Sequence, residues 1–204
     1  LISLRDTPLY GWNIIGKRLL DIIFASLVLI ITSPVIGIVA LLIKITSQGP
    51  VFFKQERMGM DGKIFNMLKF RTMFINAEQE TGPVWTKKGD PRCTKTGKFL
   101  RRTSIDELPQ FINVLRGDMS IVGPRPERPV FIQNFRNTIP KYMLRHKMKA
   151  GITGWAQVSG WRGNTSLEKR IEYDLYYIEN WTLNFDLKII WLTLWNGFVN
   201  KHAY

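Results

Sequence analysis

Twenty-two consecutive residues, Ile22 to Ile43, carry no charge and lie between Asp21 and Lys44. As one helix this run is roughly 33 Å long, enough to cross the apolar core of a bilayer. Ser33-Pro34 sits in its middle. Pro34 removes a backbone donor and presses on the carbonyl of Ile30, so a bend is expected there. Two topologies fit: a kinked transmembrane helix, or a re-entrant helical hairpin that dips into one leaflet and returns. Lys17 and Arg18 precede the run, while Lys44, Lys54 and Arg57 follow it. Positive charge on both sides favours two ends that stay cytoplasmic. The run lies too deep in the chain, and is too long, for a secretory signal peptide.

The remainder has the makings of one compact domain. The chain has 204 residues, 45% of them hydrophobic, which excludes a disordered tail as its main content. Its net charge of +13 calls for an anionic partner: nucleic acid, anionic lipid or a phosphorylated substrate. A single cysteine, Cys93, excludes a disulfide framework and a cysteine zinc site. Two distant histidines, His146 and His202, argue against a His-rich metal site or a His-based triad. Any chemistry here runs on carboxylates and arginines.

Val51-Phe52-Phe53 and Ile64-Phe65 flank Gly59-Met60-Asp61-Gly62, the pattern of a short β-hairpin. Residues Asn76 to Lys98 read as loop. An amphipathic helix is expected from near Asp106, with Leu108, Phe111, Ile112 and Leu115 on one stripe and Gly117 as its stop. Gly123-Pro124-Arg125-Pro126 reads as a stiff turn. Further helices are expected over Arg128–Asn137, Leu167–Asn180 and Leu183–Phe198. The last is read with Trp181, Trp191 and Trp195, and fits a membrane interface as well as a buried core. The fold class that follows is α+β and helix-dominated.

From Lys87 to Arg102 seven basic residues face one acid, Asp90. For the lysines a face drawn to anionic headgroups suffices. Arg101 and Arg102 stop just before Thr103-Ser104-Ile105-Asp106-Glu107, where arginine forks and a helix N-terminus together suit a phosphate. Ser104 and Glu107 have the spacing of a capping box, in which Glu107 merely satisfies a backbone donor; Asp106 as cap would instead put Pro109 in the first turn. Both placements leave two ionised carboxylates beside arginines, either a catalytic pair or an ordinary acidic first turn. Lys69 and Arg71, Arg125 between its prolines, and Arg162 after Trp161 are further candidate phosphate contacts. No phosphate-binding P-loop, dinucleotide glycine motif, nucleophile-elbow serine or zinc-protease motif occurs, and no module that reads nucleic acid.

Taken together, these segments resemble the bacterial sugar transferase family, the monotopic polyprenyl-phosphate phosphoglycosyl transferases. The resemblance is carried by Lys17-Arg18-Leu19-Leu20-Asp21, Ser33-Pro34, Gly49-Pro50-Val51-Phe52-Phe53-Lys54-Gln55 and Lys69-Phe70-Arg71-Thr72-Met73. It is strongest in Phe99-Leu100-Arg101-Arg102-Thr103-Ser104-Ile105-Asp106-Glu107-Leu108-Pro109-Gln110, and continues through Gly117–Glu127 and Gly151–Gln157. Leu4–Leu9 and Asn200–Tyr204 look like the C-terminal catalytic part of the large exopolysaccharide-initiating members, the undecaprenyl-phosphate glucose phosphotransferases.

The resemblance implies residues 1–16 as a lead-in from an upstream region, 17–44 as a re-entrant membrane helix broken at Ser33 and Pro34, and 45–204 as a cytoplasmic catalytic domain. It implies transfer of a hexose-1-phosphate from a UDP-sugar to undecaprenyl phosphate at the cytoplasmic face of the bacterial inner membrane, with release of UMP. Asp106 would be the nucleophile and Glu107 its partner, both near Mg²⁺. Lys69, Arg71, Arg101, Arg102, Arg125, Arg162, Asp174 and Asp186 would serve substrate binding. Membrane lipids are expected partners, nucleic acid is not, and a homo-oligomer is left open. Glucose is suggested only by overall resemblance, with galactose and N-acetylhexosamines as alternatives. A non-catalytic basic membrane tether is the rival from another class.

Overall fold

The computed structural model describes residues 8–199, apart from 80, 81, 83, 85–88 and 164. Residues 1–7 of the expected lead-in, Lys87 and Lys88 of the basic run, and the 200–204 ending lie outside the described residues.

Helix α1 spans Trp12–Thr46 without interruption, longer at both ends than the expected 17–44. Pro34 has no N–H for the carbonyl of Ile30; the neighbouring Ser33 hydroxyl donates to that carbonyl instead, at 2.8 Å. The proline therefore leaves no orphaned acceptor in an apolar setting, which is what allows the helix to continue.

Both arms of α1 pack on the same folded body. On the N-terminal arm, Lys17, Asp21 and Ala25 are buried. Arg18 donates to the carbonyls of Val114 and Leu115, 2.6 and 2.8 Å away. On the C-terminal arm, Val39 and Ile43 pack with Phe70 and Leu100. Between them Ile30, Ile31, Val35 and Ile38 are exposed. This is an apolar surface with no protein against it, on a helix long and apolar enough to cross a membrane.

The expected hairpin forms. Strands β1 (Phe52–Met58) and β2 (Ile64–Phe70) pair antiparallel, from Phe52 opposite Phe70 to Met58 opposite Ile64. Helix α2 covers Lys95–Arg102, so the expected loop ends at Thr94, whose hydroxyl caps the helix by accepting from Gly97 N at 2.9 Å. The next α-helix, α3, is Gln110–Arg116, with Gly117 in the left-handed conformation as its stop. It starts four residues later than expected, for reasons that belong to the site. Strand β3 (Ser120–Val122) and helix α4 (Pro129–Thr138) follow, with Pro124, Arg125 and Pro126 as the non-helical turn between them.

Strand β4 (Gly151–Thr153) pairs in parallel with β3, a contact between segments about thirty residues apart that local pattern did not reveal. It depends on missing side chains: a Cβ added to Gly151, Gly123 or Gly154 would collide with facing backbone. The short helix α5 (Trp155–Val158) leads through the Trp161–Gly163 segment to α6 (Leu167–Glu179) and α7 (Leu183–Val199). Trp181 precedes α7 and is buried in the core, whereas Trp191 and Trp195 are exposed and stacked on each other. The main core gathers Ala25, Met67, Val114, Ile121, Tyr177, Ile189 and their neighbours.

Candidate active site

Asp106 and Glu107 lie on a tight 3₁₀ turn, Ile105–Glu107, between α2 and α3. Ser104 leads into it with a left-handed φ of 56°, a conformation that costs a non-glycine residue about 1 kcal/mol or more. Its hydroxyl caps nothing, so the capping box permitted by the spacing does not form. Pro109 stands just before the first residue of α3, where its missing N–H is harmless. The strained turn points the two adjacent carboxylates into different surroundings.

Glu107 is clamped. Its Oε1 accepts from Lys69 Nζ at 2.9 Å and from Arg125 Nη2 at 2.6 Å, while Oε2 sees Arg125 Nη1 only at 3.5 Å. Burial works against its charge, yet Arg125 and Lys69 override burial and hold the carboxyl well below the usual carboxylate range. Burial also pulls the Lys69 ammonium below its ordinary value, with Glu107 resisting.

Asp106 is the opposite case. It is 6% exposed, and no hydrogen bond to its carboxylate forms among the described residues. Burial raises its pKa to about 6 against the pull of Lys69, with Glu107 pushing upward and Arg101 and Arg125 pulling down. Desolvation dominates over the neighbouring arginines and Lys69. The group is still mostly ionised at neutral pH, and its lone pairs are uncommitted. A buried, charged and unbonded carboxylate is reactive toward an electrophile.

Other expected site residues divide into those brought near this pair and those held elsewhere. Arg101 donates from Nε to Thr72 Oγ1 at 2.8 Å, and its charge acts on Asp106. The charge of Arg162 acts on Glu107. Arg71 is turned away: it donates to the carbonyls of Ser47 and Gln48, closing the C-terminal end of α1. Arg102 is exposed over the Phe99 ring. Asp186 is fully buried between Lys17 (2.7 Å), Tyr177 (2.6 Å) and Trp181 (3.1 Å), where it joins α7 to α1. Asp174 pairs with Arg145 at 2.7 Å, and Arg145 in turn donates to the backbone carbonyl of Arg125 at 2.8 Å. Asp174 therefore supports a site residue from behind.

That supporting layer went unread in the sequence. Arg57 donates to Pro126 O at 2.9 Å, and Arg170 bridges Glu127 (3.0 Å) to Gly163 O (2.6 Å). With Arg145 they brace the turn that carries Arg125 and tie it to the segment that carries Arg162. Arginines scattered over more than a hundred positions give no local pattern. Glu127, an acid directly after Pro-Arg-Pro, was the one available signal.

Among the described residues no group of three or more His, Cys, Asp or Glu side chains could hold a metal. The donors present, Asp106 and the weakly engaged Oε2 of Glu107, do not form a closed cage. They fit a cation that takes one or two carboxylates and completes its shell with substrate phosphates and water, which is the habit of Mg²⁺.

Comparison with known proteins shows the family to which the chain belongs. The chain is 53% identical over 208 residues to the UDP-glucose:undecaprenyl-phosphate glucose-1-phosphate transferase of Escherichia coli (strain K12), covering 100% of this chain and 45% of that protein. It is 41% identical over 211 residues to the undecaprenyl-phosphate glucose phosphotransferase of Komagataeibacter xylinus, covering 100% of this chain and 40% of that one. With the UDP-N-acetylgalactosamine-undecaprenyl-phosphate N-acetylgalactosaminephosphotransferase of Aeromonas hydrophila it shares 44% identity over 194 residues, 94% of this chain and 45% of the relative. The chain thus spans less than half the length of these relatives. The bacterial sugar transferase family profile matches residues 12–200, and this chain belongs to that family.

Proposed function

We propose that this chain catalyses transfer of a sugar-1-phosphate from a UDP-sugar to undecaprenyl phosphate, with glucose as the sugar, as the first membrane step in building an exopolysaccharide or capsule. The observation that carries the reading is the contrast between two adjacent carboxylates: Glu107 locked by Lys69 and Arg125, Asp106 buried and without a hydrogen bond among the described residues.

An Asp106 oxygen attacks the sugar-bearing phosphorus of the UDP-sugar. A P–O bond forms to the carboxylate, the P–O bond to the nucleotide breaks, and UMP departs with the electron pair. Undecaprenyl phosphate then attacks the same phosphorus through a phosphate oxygen, restoring the carboxylate and yielding the diphosphate-linked lipid. Positioning and charge neutralisation supply most of the rate in such a transfer. Arg101, Arg125 and Arg162 hold the phosphates, and the Glu107 clamp fixes the direction of Arg125 and Lys69. Asp106 and Glu107 Oε2 would hold Mg²⁺ shared with the diphosphate. Bound there, the ion would neutralise charge on the departing nucleotide.

The helix supports a re-entrant topology. Lys17 reaches Val122 O at 3.0 Å and Arg71 reaches Ser47, so residues at both ends of the apolar stretch are held to one body. A helix spanning the bilayer would put those ends on opposite sides. A membrane dip that returns lets the body sit at headgroup level on the cytoplasmic face of the inner membrane, where the lipid phosphate lies.

The test is UMP release from UDP-glucose by the membrane-inserted chain with Mg²⁺, with and without undecaprenyl phosphate. Sustained release only with lipid, and none from Asp106→Asn, supports the reading. Turnover of UDP-N-acetylgalactosamine in place of UDP-glucose reassigns the sugar alone, an outcome for which the Aeromonas relative gives reason. Silence with every UDP-sugar favours a membrane tether. Tags before Lys17 and after Lys44 on opposite faces would refute re-entry.

A further inference from the structure

The buried face of the segment carrying the reacting carboxylate holds three polar side chains, Asp106, Gln110 and Asn113. Asp106, Pro109, Gln110, Asn113 and Val114 are all buried, at the three- and four-residue spacing of one helical face. Asn113 is fully engaged: it accepts from Leu68 N at 2.9 Å and donates to Asn66 O at 2.8 Å and Asp118 Oδ2 at 3.1 Å. It thereby fastens β2, and with it Lys69, to α3.

Gln110 is different. It is 1% exposed, yet its Nε2 has no acceptor among the described residues. An orphaned buried donor is destabilising, and a leucine of similar size would avoid the penalty. One turn earlier is Asp106, a buried residue whose carboxylate receives no hydrogen bond among the described residues. A donor without an acceptor and an acceptor without a donor, four residues apart, belong to a partnership that the ligand-free arrangement does not complete.

We infer that Gln110 is a positioning residue for the transfer, an inference that rests on the proposed role of Asp106. Its Nε2–H donates to the Asp106 oxygen that does not attack phosphorus. When the other oxygen bonds to phosphorus and UMP leaves, the first becomes the carbonyl oxygen of the aspartyl phosphate. The amide then holds that oxygen until the lipid phosphate attacks and the carboxylate re-forms. Fixing one oxygen aims the other along the line of attack. In the second step the same bond strengthens as negative charge returns to the leaving carboxylate.

The test compares wild type with Gln110→Leu, Gln110→Met and Gln110→Glu in the membrane-inserted chain, measuring UMP release, lipid product and thermal unfolding. Gln110→Leu and Gln110→Met should unfold at the same temperature as wild type or higher, because they remove an orphaned donor. Their kcat should fall about tenfold to a hundredfold while KM for UDP-glucose stays within about twofold. Gln110→Glu, which also lacks the donor, should be impaired too. A folded variant that keeps wild-type kcat overturns the inference. So does failure of all three to fold, since the amide would then be holding the core. If wild type itself releases no UMP, the proposed function has failed; an active wild type beside equally active variants sinks only the role of Gln110.

Discussion

Asp186 offers a sharp separation of structure from chemistry, because the family resemblance implied a substrate contact and its surroundings say otherwise. The carboxylate is completely enclosed and accepts from Lys17, Tyr177 and Trp181. Lys17 is itself only 4% exposed and spans to Val122 O as well. Replacing Asp186 by leucine leaves the Lys17 ammonium without its counter-charge and the Trp181 indole without its acceptor in the core. Breaking one side of such a pair costs about 3–5 kcal/mol, against a total stability of about 5–15 kcal/mol for a domain. The double variant Lys17→Met/Asp186→Leu removes both charges, and Tyr177 can still donate to Val122 O, its 3.2 Å partner already. Only the Trp181 indole is left without its acceptor. About half of the Asp186→Leu loss, about 2 kcal/mol, should therefore return in the double variant. Denaturant unfolding of detergent-solubilised protein, followed by tryptophan fluorescence, measures this directly because Trp181 belongs to the network. A single-variant loss below about 1 kcal/mol, or a double variant as unstable as the sum of the singles, would refute the reasoning. A stable Asp186→Leu that no longer releases UMP would return Asp186 to the substrate-binding group.

Other outcomes follow from the same geometry. The Asp106 carboxyl has a folded pKa of about 6, above its ordinary 3.8, so folding is penalised as pH rises through that window and fully penalised above it. In Mg²⁺-free buffer at pH 8, Asp106→Asn should be more stable than wild type by up to about 3 kcal/mol, with the gain gone below about pH 4; equal unfolding curves at pH 8 would contradict the desolvation account. Arg145→Met leaves Asp174 buried and unpaired and releases the Arg125 carbonyl. It should cost about 3–5 kcal/mol in unfolding measurements and raise KM for the UDP-sugar in whatever protein remains folded. Arg125→Lys keeps the charge but loses the planar fork, and should lower kcat/KM at least about tenfold with unfolding little changed. Gly151→Ala drives a methyl group into the Gly123 backbone and should prevent stable folding, whereas Gly16→Ala, with open space around it in α1, should be neutral or stabilising by up to about 1 kcal/mol in thermal melts.

Local chemistry in the sequence determined a good deal about this protein. An uncharged run broken by Ser33-Pro34, the hairpin around Gly59–Gly62, the Gly117 stop and the helices beyond Arg128 were all legible, because hydrophobic period, turn residues and caps act over a few neighbouring positions. So was the placing of Arg101 beside Asp106, on which its charge acts, since those residues are close in the chain. What separates the two carboxylates was not legible. Glu107 is ionised by Lys69 and Arg125, and Asp106 is raised by burial, and both effects come from elements that meet it only in the folded chain. Tertiary structure likewise assigned Asp186 and Arg71 to holding α1, and recruited Arg57, Arg145 and Arg170 to brace the Arg125 turn. It also brought β3 beside β4 through glycines whose absent side chains give no sign of what they approach. Propensity is a property of neighbours in sequence, whereas desolvation and long-range charge depend on neighbours in space, and those exist only once the chain has closed on itself.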